Sequence, residues 1–347
     1  MSGRTAANLG VMPVPVYKCR TLISTPHDLL RVAGRVPRLS SVYSRVKLLS
    51  ARSEVPLKLI EREIMRDPAV CARLPRLARV MYPALGHEAT SVGEVLSILG
   101  GERIRHLLLV TAVAAAYRKI RSSQFDMDRF WRVGARRALL ARLIALETPH
   151  ADPTRAFVAG LLGDLGHLVL HLGIPVPALD AQVRAAQCGL SAHEVEAALL
   201  GFDYAQVGAV LMRRWRHCPV IENAIEFQMH PLNAGEGRAD ACVLHIATKL
   251  ADAVEGGASL AGWNGAIRAQ VWNMTGHTHE MLAQMVERTA QDCADLARAL
   301  APEALPAEPK QPSARTPAAV PIAHARAKTL LRLPPAANAP GLERKVS

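Results

Sequence analysis

At 347 residues, half of them apolar and about a fifth charged, the chain can bury one large core or two modest ones. Its formal charge of +12 points to acidic partners, yet the last 47 residues supply +4 of it (seven Lys/Arg, three Glu) and the other +8 is spread along helical patterns. Six scattered cysteines (19, 71, 188, 218, 242, 293) with no C-x-x-C pair argue against a zinc knuckle or a disulfide framework and for free thiols in a reducing cytoplasm.

Residues 1–20 contain Pro13 and Pro15, lack amphipathic periodicity, and are expected to form an irregular lead-in. Arg4 is followed by no apolar core of a signal peptide, so secretion is not expected. Residues 21–298 carry nearly continuous helical patterns, rich in Leu, Ala and Arg and poor in aromatics, which predicts an all-α fold. Asp67-Pro68 and Asp152-Pro153 each set a capping acceptor before a proline at the first helical position. Ser91 with Glu94 and Ser191 with Glu194 fit reciprocal capping boxes, and Asp203 can cap a helix running to Trp215. Gly100-Gly101 interrupts one pattern and reads as a turn, while Gly173 and Gly201 sit where helices should stop. The run Leu107 to Ala116 is apolar but too short to cross a bilayer, so no membrane insertion is expected. From 299 to 347 closely spaced prolines with Ala and Arg predict a disordered basic tail, in which Lys328 to Leu333 is either an incidental patch or a docking peptide.

Basic residues recur at Arg31, Arg35, Arg38, Arg45, Lys47 and Arg52, at the pairs Arg136-Arg137 and Arg213-Arg214, and at three-residue spacing in Arg73, Arg76 and Arg79. The last three could present an anion-binding face to a nucleotide or nucleic acid. No aromatic interleaving accompanies them, and a solvated arginine face is the expectation. No phosphate-binding glycine loop, nucleophile elbow or calcium loop is present. His167 and His171, four apart, have a metal-ligand spacing, but the plainer expectation is one exposed ring and one packed at the helix end. His277 and His279 lie near Gly276 in a loop-like stretch.

The segment Phe157-Val158-Ala159-Gly160-Leu161-Leu162-Gly163-Asp164-Leu165-Gly166-His167-Leu168 has the frame of a metal-dependent phosphohydrolase helix. Together with Ile64 to Val70, Leu99-Gly100-Gly101, Phe130-Trp131-Arg132, Leu200 to Ala209 and Val243 to Ala247, it resembles the HDOD domain, the catalytically degenerate branch of the HD superfamily. The resemblance covers about 36–255 in family order, with one departure: Arg79-Val80 stands where relatives usually carry Asn-Ser. It implies a compact HD-like helical bundle and a bacterial signalling role.

In HD phosphohydrolases an early His, a His-Asp doublet and a late Asp hold the metal. By motif these positions fall at Val133, at Gly163-Asp164 and near Thr248, so the resemblance leaves Asp164 as the surviving ligand. One carboxylate without imidazole neighbours holds a catalytic ion poorly. The expectation is therefore no metal, no cofactor and no catalysis, with Asp164 a helix-interior carboxylate hydrogen-bonded to a neighbouring helix or its N-terminus. Trp131 and His245 are expected around the relic cleft. The predicted function is a non-catalytic cytoplasmic regulatory module that binds a signalling protein partner. The alternatives are a nucleotide or nucleic-acid binding regulator and a residual phosphohydrolase.

Overall fold

Local caps divide the chain into helices before packing is considered. Asp67 Oδ1 accepts from the backbone N–H of Ala69 and Val70 at 3.0 and 3.2 Å. Asp152 Oδ1 accepts from Arg155 N at 2.7 Å, and both acidic caps precede a proline. Reciprocal bonds join Ser91 to Glu94 (2.8 and 3.2 Å) and Asp203 to Gln206 (3.1 and 2.9 Å), and Glu194 accepts from Ser191 N at 3.0 Å. Each such cap stabilises its helix by about 1 kcal/mol.

The computed structural model describes residues 23–300 except 35, 37, 51–54, 83–89, 118–119, 121–124 and 258–266. The lead-in of residues 1–20, the tail from 301, and Arg35 and Arg52 lie outside the described residues. In chain order the helices are α1 (Pro26–Val32), α2 (Ser41–Ser50), α3 (Leu57–Ile64), α4 (Pro68–Met81) and α5 (Val92–Tyr117). There follow α6 (Met127–Glu147), α7 (Pro153–Leu162), α8 (Leu165–Gly173), α9 (Pro175–Cys188) and α10 (Ala192–Leu200). The last are α11 (Tyr204–Arg214), α12 (Pro219–Glu226), α13 (Arg238–Glu255), α14 (Ala269–Thr275) and α15 (His279–Leu300). No strand occurs among the described residues, and the fold is all-α.

Helix α6 organises the core. Its first half buries Phe130, Trp131, Ala135 and Leu139 in a large cluster shared with α1–α5, α7, α8, α11 and α12. Its second half buries Leu140, Ile144 and Ala145 in a separate cluster with α13, α14 and α15. Leu and Ala dominate both clusters, as the scarcity of aromatics requires. Helix α5 bends at Gly100, whose φ of 71° is a conformation that glycine adopts without steric cost. The apolar stretch Pro153–Gly173 is long enough by composition to cross a membrane, but 78% of it is buried in this core.

The helical frame expected over 157–168 is interrupted. Gly163 and Asp164 form a turn between α7 and α8, with the Asp164 carbonyl accepting from His167 N at 3.0 Å. Helix α8 then crosses α11 so closely that a Cβ at Gly166 would lie 1.8 Å from the Tyr204 carbonyl oxygen. Only glycine permits that approach, and the approach brings the faces of α8 and α11 together beside the turn.

Candidate functional site

The turn at Gly163-Asp164 faces α6, where Val133 and Arg137 stand one helical turn apart. Arg137 is the unexpected residue. Its side chain is 1% exposed, its Nη1 lies 2.6 Å from Asp164 Oδ2, and its Nε donates to the Gly160 carbonyl at 2.5 Å. Burial acts to raise the Asp164 carboxyl, but the Arg137 guanidinium outweighs it and, with His167, holds the group below the usual carboxylate range. Asp164 is therefore an ion-paired carboxylate bound to a neighbouring helix.

The position of the missing imidazole is crowded. A Cβ at Gly163 would meet the Ala159 carbonyl at 3.1 Å, Gln228 Oε1 at 3.2 Å and Arg137 Nε at 3.5 Å. Gln228 fills this space and ties three elements together. Its Nε2 donates to the carbonyls of Gly163 (3.0 Å) and Ile225 (3.1 Å), and its own carbonyl accepts from His245 Nδ1 at 2.6 Å. Thr248 is buried behind it, with Oγ1 3.5 Å from Gln228 Oε1. Burial pushes His245 down to about 4, so at neutral pH it is an uncharged ring that donates through Nδ1.

In front of Asp164 opens a cleft of about 450 Å³, lined by His167, His193, Tyr204, Lys249 and Asp252 among others. Thr248 does not reach it. The carboxylate that α13 presents is Asp252, one turn further on, so Asp164 and Asp252 both line the cleft. Desolvation, and then the negative charge of Asp164, push the Asp252 carboxyl up to about 6. Val133 lines the cleft, whereas Trp131 and His245 stand behind its wall: Trp131 is buried edge-on to Phe130 at 4.9 Å.

His167 stacks on Tyr204 at 3.8 Å, and its Nδ1 lies 3.0 Å from Glu196 Oε1. Burial favours the neutral ring, but Glu196 and Asp164 prevail and raise its pKa, so His167 carries charge more readily than a free imidazole. His171 is buried, with Nδ1 2.8 Å from the His167 carbonyl and its ring 4.9 Å from Phe125. Neither histidine is exposed, contrary to the expectation for that pair. They point to different partners, so the spacing creates no shared ligand site.

Among the described residues no three His, Cys, Asp or Glu side chains converge to hold a metal ion. The residues present do not fit one. The charge that a divalent ion would bring to Asp164 comes instead from Arg137, and Gln228 occupies the space beside Gly163.

The Arg73/Arg76/Arg79 face does not form. Arg73 is buried with Nη1 3.4 Å from the Ala69 carbonyl, Arg76 is exposed, and Arg79 is half-buried. Steps of 300° turn these residues through 120° of α4, enough to carry Arg73 into the core while Arg76 faces outward. The five described cysteines are free.

A family model described as the HDOD domain matches residues 36–231. Among solved structures, the fold is similar to a candidate phosphohydrolase from Shewanella amazonensis SB2B (TM-score 0.63, 24% identity, covering 79% of this chain and 98% of that one). It is also similar to an HDOD domain protein of unknown function from Geobacter sulfurreducens (TM-score 0.60, 16% identity, 81% and 96% covered). A third is a candidate signal transduction protein from Marinobacter aquaeolei VT8 (TM-score 0.58, 20% identity, 83% and 67% covered). No curated protein matches the sequence.

Proposed function

The chain belongs to the HDOD domain family, and we propose that it is a non-catalytic, cytoplasmic module of bacterial signal transduction that acts by binding other proteins. The observation that carries this reading is the Arg137–Asp164 ion pair. A hydrolytic metal must hold a water and a phosphoryl oxygen as well as its protein ligands. A guanidinium has no open coordination position, activates no water, and stays protonated at any physiological pH.

A signalling role is supported by the Marinobacter neighbour, described as a candidate signal transduction protein. Binding to proteins is supported by α9, which leaves Val176, Leu179 and Val183 exposed at helical spacing, an apolar strip of the kind that partner helices cover.

The test is hydrolysis of a generic phosphodiester, bis(p-nitrophenyl) phosphate, with Mn²⁺ or Fe²⁺ added and the bound metal quantified. The expected result is no turnover above buffer and substoichiometric metal. Turnover that disappears in Asp164→Ala would establish the residual phosphohydrolase instead. In parallel, the tagged protein should retain a protein partner through a high-salt wash, and Leu179→Asp with Val183→Asp should release it.

A further inference from the structure

A second cavity, of about 360 Å³, lies between α2 and the end of α11. Its wall carries four cations: Arg38 before α2, Lys47 on α2, and Arg214 and Arg216 at the end of α11. No carboxylate is among its described lining residues. Arg105, on α5, is close enough to act on Lys47 as well.

Where these cations make hydrogen bonds, they make them to backbone carbonyls. Lys47 Nζ donates to Trp215 O at 2.8 Å, Arg214 Nη1 to Leu30 O at 3.3 Å, and Arg105 Nη1 to Ser50 O at 3.0 Å. Burial lowers the Lys47 pKa, and the nearby charges of Arg216 and Arg105 lower it further. The local balance is thus repulsion among like charges.

Helix polarity explains part of this, since Lys47 and Arg214 lie in last turns where a cation is favoured. It does not explain the contrast with their neighbours. Arg45, on the same helix as Lys47, is 2.7 Å from Glu63, and Arg213, beside Arg214, is 2.5 Å from Glu222. The chain pairs Arg45 and Arg213 with carboxylates on either side of the cavity and places none among the described residues of its wall.

The backbone adds a second observation. After α11, Arg216 N bonds to Arg213 O (2.9 Å) and His217 N to Met212 O (3.3 Å), the paired closure that places a left-handed residue after a helix. That residue is usually glycine. Here it is Arg216, at φ 49°, and its side chain lines the cavity. The strained position is occupied by a charge. Trp215, half-buried, supplies a ring surface beside it.

We propose that this cavity binds a small phosphorylated ligand with an aromatic ring, a free mononucleotide, its phosphate held by Arg38, Lys47, Arg214 and Arg216 and its ring against Trp215. A nucleic-acid strand fits less well, because the cations close around one concavity and the arginines of α4 do not extend them into a track. The proposal is independent of whether Asp164 once served catalysis.

Calorimetric titration of the full-length protein with AMP, inorganic phosphate, adenosine and a single-stranded oligonucleotide tests it. AMP should bind more tightly than phosphate or adenosine, and its affinity should fall with added salt. Arg216→Gly, which keeps the helix closure and relieves the left-handed residue, should weaken AMP about tenfold, as should Arg38→Gln, the size expected for one charged hydrogen bond. Circular dichroism of the variants should show unchanged helicity. Equal affinity for phosphate and AMP, equal affinity for adenosine and AMP, unchanged affinity in Arg216→Gly and Arg38→Gln, binding of the oligonucleotide alone, or no binding of any probe would each overturn the assignment.

Discussion

The relic cleft and the cavity beside Trp215 treat positive charge in opposite ways. At the cleft, Arg137 is withdrawn from water and matched at 2.6 Å by Asp164, and His167 is matched at 3.0 Å by Glu196. Beside Trp215, Arg38, Arg214 and Arg216 remain exposed, Lys47 is half-buried, and no carboxylate joins them among the described residues. A buried cation without its counter-ion would be very costly, so the cleft is locked into a paired arrangement. A solvated cluster tolerates repulsion and keeps its charge available to an incoming anion. The cleft holds its cations in fixed pairs, while the cavity beside Trp215 leaves its cations open to solvent.

The largest expected effect probes the locked side. Arg137→Met strands the Asp164 carboxylate and should destabilise the fold by about 3–5 kcal/mol in urea denaturation. Adding Asp164→Leu should recover most of that loss, because removing both charges also removes the uncompensated one. If the double variant is no more stable than Arg137→Met alone, the pair is not the reason the arginine is buried.

A smaller effect probes the open side. Leu48, on the cavity wall and 70% exposed, can be replaced by Glu to supply the missing carboxylate. Leu48→Glu should stabilise the protein by about 0.5 kcal/mol at low salt, and the gain should shrink as salt is added. By contrast Arg213→Gln, which removes a cation already paired with Glu222 and Glu226, should cost about 0.5 kcal/mol or less. Destabilisation by Leu48→Glu would mean that the cavity is not repulsive.

The smallest effect is a pH dependence. The Asp252 carboxyl, raised to about 6, takes up its proton more readily folded than unfolded. Its contribution to stability is therefore present below about pH 4 and disappears as pH rises through about 6. Asp252→Asn should flatten that segment of the stability–pH curve, modestly, since water reaches the residue through the cleft mouth. An unchanged curve would show that Asp164 and Asp252 do not sense each other.

Much of the fold was legible because its signals are local. Asp67-Pro68, Asp152-Pro153 and the Asp203 cap fix helix starts within a few residues, and Gly201, at φ 86°, stops α10 where expected. The site was less legible because its partners are distant in sequence. Arg136 and Arg137 look alike in the chain, yet Arg136 reaches Glu255 at 3.1 Å and Arg137 turns inward to Asp164. The available signal was helical phase: Arg137 follows Val133 by four residues and shares the buried face of Phe130, Ala141 and Ile144. Thr248 and Asp252 share one phase of α13, so phase alone does not separate them; their position along the helix does. Gln228 carried no such cue, because its role exists only once α12 and α13 close over the turn at Gly163.

The guanidinium at Asp164 differs from any metal in one further respect: it is covalently part of the chain. A chelator cannot extract it, starvation for iron or manganese cannot empty its seat, and no competing ion can displace it. The positive charge beside Asp164 is thereby fixed at synthesis.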